Sequence, residues 1–126
     1  MTSNPIVVVR TEVKSLTEGR TPIGKHVLFW CPGCDDVHQI TVDTPEGWGW
    51  NGNLERPTFT PSVKVTGVQW DTSSGFHKPN HAVAPGGTIA CHSFVTDGRI
   101  QFLGDSTHQL AGQTVDMVPV PDWLVH

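Results

Sequence analysis

Cys31-Pro32-Gly33-Cys34 is the pattern in this chain with the most definite chemistry. Two cysteines two residues apart on a Pro-Gly turn can aim both sulfurs at one ion. Thiolate and imidazole are the donors zinc prefers, and a closed structural site takes four of them. The third cysteine is Cys91, followed by His92, and His108 lies beyond it. The spacing therefore predicts a zinc site of Cys31, Cys34, Cys91 and His108.

The choice of His108 rests on a hairpin. Asp97-Gly98 sits between two apolar runs, which is a strong signature of a two-residue β-turn. That register pairs Thr96 with Arg99, Val95 with Ile100, Ser93 with Phe102 and Cys91 with Gly104. A short helix over 105–112, capped by Asp105 or Ser106 and ended by Gly112, would then begin beside Cys91 with His108 in its first turn. His92 is a rival ligand, but neighbours on a strand face opposite ways. His38, four residues after Cys34, is close enough to reach back and stays open as an alternative. His26, His77, His81 and His126 read as surface or loop residues.

Other chemistries compete for the same residues. Trp30-Cys31-Pro32-Gly33-Cys34 has the outline of a dithiol redox site, whose nucleophilic cysteine needs a helix N-terminus. Here Asp35 to Val42 alternates like a strand, and two aspartates beside the thiols oppose thiolate formation. A catalytic zinc would keep one position open for water, with Asp105 or His92 as general base. Neither HExxH nor a deaminase-type His-x-Glu motif is present. The bland reading of Asp105 is a helix cap. Trp48 and Trp50 could form an aromatic platform, although lids on a small β core are the commoner use of such residues.

The remaining segments must position these groups. The chain has 126 residues with 13 glycines and 10 prolines, so one domain with frequent turns is expected. A strand over 5–13 ends at the Thr17-Glu18-Gly19 turn. A zinc knuckle on a β-hairpin spans 26–42, and a Trp- and Pro-rich crossover spans 44–62, its end (Arg56 to Ser62) reading as a rigid link between strands. Val63 to Trp70 alternates as a strand, and 71–87 is a long loop. The hairpin and short helix occupy 88–112, a last strand runs from Thr114 to Val120, and an extended tail carries Trp123. The fold class is mainly β: an antiparallel sheet or sandwich, residues 1–126, with a zinc knuckle and at most one or two short helices.

The formal net charge of -4 and the lack of any basic run argue against nucleic-acid binding. No apolar stretch approaches a membrane span, and no signal peptide is evident. Reduced cysteines and a cytoplasmic setting follow.

Three blocks of sequence carry a family resemblance: F-W-C-P-G-C-x-x-x-H, W-G-W-N-G-N-x-E-x-P-T-F-x-P-S, and C-H-S-F-V-x-D-G-R-I-Q-F-L-x-D-S-T-H-x-L-A-G-Q-T-V. Over Phe29 to Trp123 the chain resembles a family of small bacterial and bacteriophage proteins of unknown function, often labelled "ammonia monooxygenase". The label does not fit, because that enzyme is a membrane-embedded copper protein. The resemblance implies a phage or prophage accessory protein, in the host cytoplasm, with a zinc site. The resulting expectation is a non-enzymatic module that binds a host or phage protein through a zinc-tied β fold. The alternatives are a small zinc-dependent hydrolase with an open metal position and, more weakly, a zinc-ribbon-like nucleic-acid binder.

Overall fold

The computed structural model describes residues 4–13, 22–42, 47–71, 73 and 77–125. Its eight strands are β1 (Val7–Val13), β2 (Pro22–Cys31), β3 (Asp36–Val42), β4 (Gly49–Trp50), β5 (Phe59–Val68), β6 (Thr88–Thr96), β7 (Arg99–Phe102) and β8 (Thr114–Asp116). One helical turn, α1 (Asp122–Val125), follows. The strands form two antiparallel sheets, ordered β1-β2-β3 and β4-β5-β6-β7-β8. The Thr17-Glu18-Gly19 turn and His126 lie outside the described residues. No helix among the described residues is long and apolar enough to cross a membrane.

The sheets meet face to face. Val27, Phe29, Cys31, Ile40 and Val42 of the first sheet share one buried cluster with Phe59, Val63, Cys91, Val95, Ile100 and Phe102 of the second. The Phe29 and Phe59 rings stack across this interface, with centroids 5.7 Å apart. β2 is apolar on both sides for a physical reason: Leu28, on its other face, packs under Val120 and Leu124 of the C-terminal segment. Strands covered on both faces lose the polar alternation.

The 97–98 hairpin forms in the register that its sequence dictates, pairing Thr96 with Arg99, Val95 with Ile100 and Ser93 with Phe102. Asp97 and Gly98 have φ values of 51° and 78°, the doubly left-handed turn that matches strand twist. Within β5 the observed faces also follow the alternation: Val63 is buried while Lys64, Thr66 and Val68 are exposed.

Three expectations are corrected. Residues 105–112 form no helix. Ser106 and Thr107, the expected cap region, bond instead to the backbone of β6, and the segment turns through separate three-residue hydrogen bonds such as Ala111 N–H to the His108 carbonyl. The last strand stops at Asp116, and Trp123 lies in α1 rather than in an extended tail. His26 is buried on β2, its Nδ1 within reach of Gln39 and Thr41 (3.0 and 3.3 Å). His81 is buried too, bonded to the Thr107 hydroxyl.

β5 departs from regular pairing at one place. Phe59 opposes Val95 and Val63 opposes Ser93, so four steps along β5 match two along β6. The two extra residues lie in Thr60-Pro61-Ser62, where the Thr60–Pro61 peptide is cis. Such bulges re-aim a side chain locally. Ser62, at the end of this irregularity, faces outward as its place beside buried Val63 requires.

Candidate active site and metal centre

β2 ends and β3 begins at the cysteine turn. The Asp35 N–H donates to the Cys31 carbonyl (2.8 Å), and the Cys34 N–H points at the Cys31 sulfur (3.4 Å). β6 brings Cys91 to the inner face of its sheet. The turn after β7 brings His108 beside it. The donor atoms of Cys31, Cys34, Cys91 and His108 all lie within 4.8 Å of one another, all four residues are buried, and together they could hold a metal ion. Cys31 Sγ and Cys91 Sγ are 3.7 Å apart, and Cys91 Sγ is 3.4 Å from His108 Nε2. Gly33 has a direct role: a Cβ there would lie 2.3–2.6 Å from the His108 ring. The third residue of the turn must be glycine for that imidazole to approach.

The thiols depend on each other. Hydrogen bonds from Cys34 and Cys91 hold the Cys31 thiol far below its ordinary value, while the Cys31 partner raises Cys34 to about 12 and pushes Cys91 up as well. Without a cation, one thiolate is accommodated and two more are not. A divalent ion removes that conflict, since ligation deprotonates coordinating thiols. Burial moves His108 down, towards the neutral imidazole that ligation needs.

His92 and His38 are outside this cluster. His38 is buried on the inner face of β3 with its ring edge-on to Phe29 (centroids 5.5 Å apart), lining a cavity of about 120 Å³ with Asp36, Lys78 and His81. His92 faces the other way, to the outer side of the five-stranded sheet, as strand alternation requires.

On that outer face is a second constellation. The Ser62 hydroxyl lies 2.9 Å from His92 Nε2. His92 Nδ1 lies 3.1 and 3.3 Å from the two carboxylate oxygens of Asp105. A carboxylate accepts only, so Nδ1 carries the proton, which leaves Nε2 free to accept from the hydroxyl. The His92 side chain is 22% exposed and that of Asp105 51%, so the group opens to solvent. The His92 hydrogen bond holds the Asp105 carboxyl below its ordinary value, keeping it ionised. Hydroxyl, imidazole and carboxylate are all within hydrogen-bond reach, the geometry by which serine hydrolases on unrelated folds are recognised.

Asp105 thus accepts a hydrogen bond from a histidine ring rather than capping a helix. Ser62 is the residue that reading the sequence missed. It sits in Thr-Pro-Ser at the end of the presumed crossover, without a G-x-S-x-G context, and meets His92 across two paired strands. Trp48 and Trp50 pack against the core. The Trp48 indole N–H also donates to the Ser62 carbonyl (3.0 Å), and its backbone N–H to the Thr41 carbonyl (2.8 Å). It therefore ties the serine's strand to β3.

Residues 6–103 match a family model described as bacterial ubiquitination-like system serine protease (BubE). The chain belongs to the BubE family. The match takes in Ser62, His92 and the three cysteines, and ends just before Asp105 and His108. No curated protein and no solved structure matches the chain. Membership overturns the expectation of a non-enzymatic phage accessory module. A family of proteases is a family of hydrolases, and its description places the nucleophile on a serine.

Proposed function

We propose that this protein is a serine peptidase with Ser62 as nucleophile, His92 as general base and Asp105 as orienting carboxylate. The observation that carries the reading is the 2.9 Å contact between the Ser62 hydroxyl and His92 Nε2, with Asp105 on the opposite ring nitrogen. The Ser62 hydroxyl adds to the carbonyl carbon of the scissile bond while His92 Nε2 takes its proton. The resulting imidazolium is stabilised by Asp105 and returns the proton to the leaving group. Water, deprotonated by the same nitrogen, then releases the acyl group from Ser62.

The substrate is a protein of a ubiquitination-like system: a ubiquitin-like modifier or a conjugate made with one. The family description supports this, and so does the placement of the triad on an exposed sheet face that a protein chain can reach.

The metal is zinc in a closed site. Four bonds of tetrahedral zinc predict sulfur–sulfur separations of roughly 3.8 Å and sulfur–nitrogen separations of roughly 3.5 Å. The observed 3.7 and 3.4 Å are close to those edges. Ligation through His108 Nε2 puts the ring proton on Nδ1, so the Leu110 N–H that now lies 3.2 Å from that nitrogen turns away. With four protein donors the ion cross-links β2, β6 and the turn after β7, and activation of water is left to His92.

A fluorophosphonate probe tests the central claim. It should modify the wild-type protein at Ser62, and Ser62→Ala should abolish both labelling and cleavage of a ubiquitin-like substrate. A folded Ser62→Ala protein that still cleaves would remove the proposal.

A further inference from the structure

The metal cluster and the triad lie back to back on the same two pieces of chain. Cys91 and His92 are consecutive on β6, one on each face of the sheet. Asp105 and His108 belong to a single turn after β7. Between them, Ser106 Oγ accepts from the His92 N–H (3.0 Å) and donates to its carbonyl (3.1 Å). Thr107 Oγ1 does the same with Ala90, accepting at 3.0 Å and donating at 3.1 Å, and the Thr107 N–H adds a third bond to the Ala90 carbonyl (2.9 Å). The 105–108 segment has no helical ladder of its own. Its place is set by these bonds, by those of Thr107 to the Ala82 N–H (3.0 Å) and the His81 ring, and by whatever anchors His108.

We infer that an ion held by Cys31, Cys34, Cys91 and His108 is a positioning element of the peptidase, holding the 105–108 turn against β6 so that Asp105 meets His92. This rests on the serine-peptidase reading and concerns the same site. Bound there, the ion supplies a cross-link between the two sheets and no coordination position to a substrate. Losing it removes one anchor of His108, whose ring still packs on Phe102 (centroids 4.4 Å apart), and leaves the turn to its hydrogen bonds with Ala90, His92 and Ala82. Asp105, exposed and hydrogen-bonded through its side chain to His92, is the first member of the triad to lose its place. Ser62 and His92 stand on β5 and β6 and keep their relation longer.

Combining metal removal with removal of Asp105 separates positioning from general loss of structure. Fluorophosphonate labelling of Ser62 is followed in wild type and in Asp105→Ala, each with zinc and after treatment with a high-affinity chelator. Chelation should slow wild-type labelling on the order of 100-fold or more, near the effect of losing the orienting carboxylate. In Asp105→Ala it should cost less than about threefold more, because coupled groups are not additive. Equal losses in both backgrounds, unfolding included, overturn the inference, and so does a wild type that labels equally fast without metal. Hydrogen exchange gives a readout independent of activity. Chelation should expose the Leu103, Ser106 and Thr107 amides while the β1–β2 ladder stays protected. Retained protection at Thr107 would overturn it. If the zinc-loaded wild type does not label at all, the peptidase reading falls, while exchange still decides whether the metal holds the turn.

Discussion

The Ser62 hydroxyl and His92 Nε2 lie 2.9 Å apart across two strands whose pairing slips by two residues at that point. Continuing the Phe59–Val95 pairing would put Ser62 directly opposite His92, and the observed Val63–Ser93 pairing puts it one position away, opposite Phe94. Ser62 precedes inward-facing Val63 and so shares the outer face with His92 in either register; the slip sets only whether it stands directly or diagonally across from the base.

Replacing His92 by Ala should reduce cleavage on the order of 10³-fold or more, because no other base lies on the serine. Asp105→Asn should cost a similar factor by allowing the wrong imidazole tautomer. Steady-state kinetics checks both, with the loss expected in kcat and KM little changed. Metal content should remain at one ion per chain in Asp105→Asn.

Trp48→Phe keeps a ring against the core and removes the donor to the Ser62 carbonyl. Stability should fall by about 1 kcal/mol. Cleavage should fall roughly 10- to 100-fold, since small misplacements of a reacting group are costly. Denaturant unfolding and kcat together check this. A stability loss without a rate loss would assign Trp48 to packing alone.

Gly33→Ala places a methyl group within 2.6 Å of the His108 ring. The imidazole must move, and zinc affinity should drop at least about tenfold. Competition with a chromogenic chelator measures it. An unchanged affinity would mean that His108 is not a ligand.

Cys31→Ser should lose the ion and lower Tm by more than about 10 °C, because binding energy at such a site is folding energy. Calorimetry with and without added zinc checks the direction: wild type should gain stability from zinc, and the variant should not.

The legible part of this molecule was local or periodic. The Asp97-Gly98 turn fixed its hairpin register from two residues, and the C-P-G-C turn announced a pair of donors. Cys91 and His108 were assigned through that register, although the helix thought to carry His108 is a run of turns. Ser106 and Thr107 could equally cap a helix or bond to a neighbouring strand, and only tertiary contact decides between those uses. Asp105 and His92 were marked as possible acid–base residues, but around a metal on the wrong side of the sheet. Ser62 had no local signal, because its partner is thirty residues away and the pairing of β5 with β6 that joins them is not recorded in hydrophobic alternation.

The slip in β5 is two residues long, which is one full period of a strand. Phe59 and Val63 therefore both remain inward, and the hydrophobic phase of the sheet is the same with or without the bulge. Excising Thr60-Pro61 would give a straight strand with an unchanged core pattern and Ser62 still opposite Phe94, diagonal to His92. The alternation that turns Phe59 and Val63 inward is thus the same one that turns Ser62 and His92 outward together, so the core pattern and the reactive face are set by one phase of the sheet.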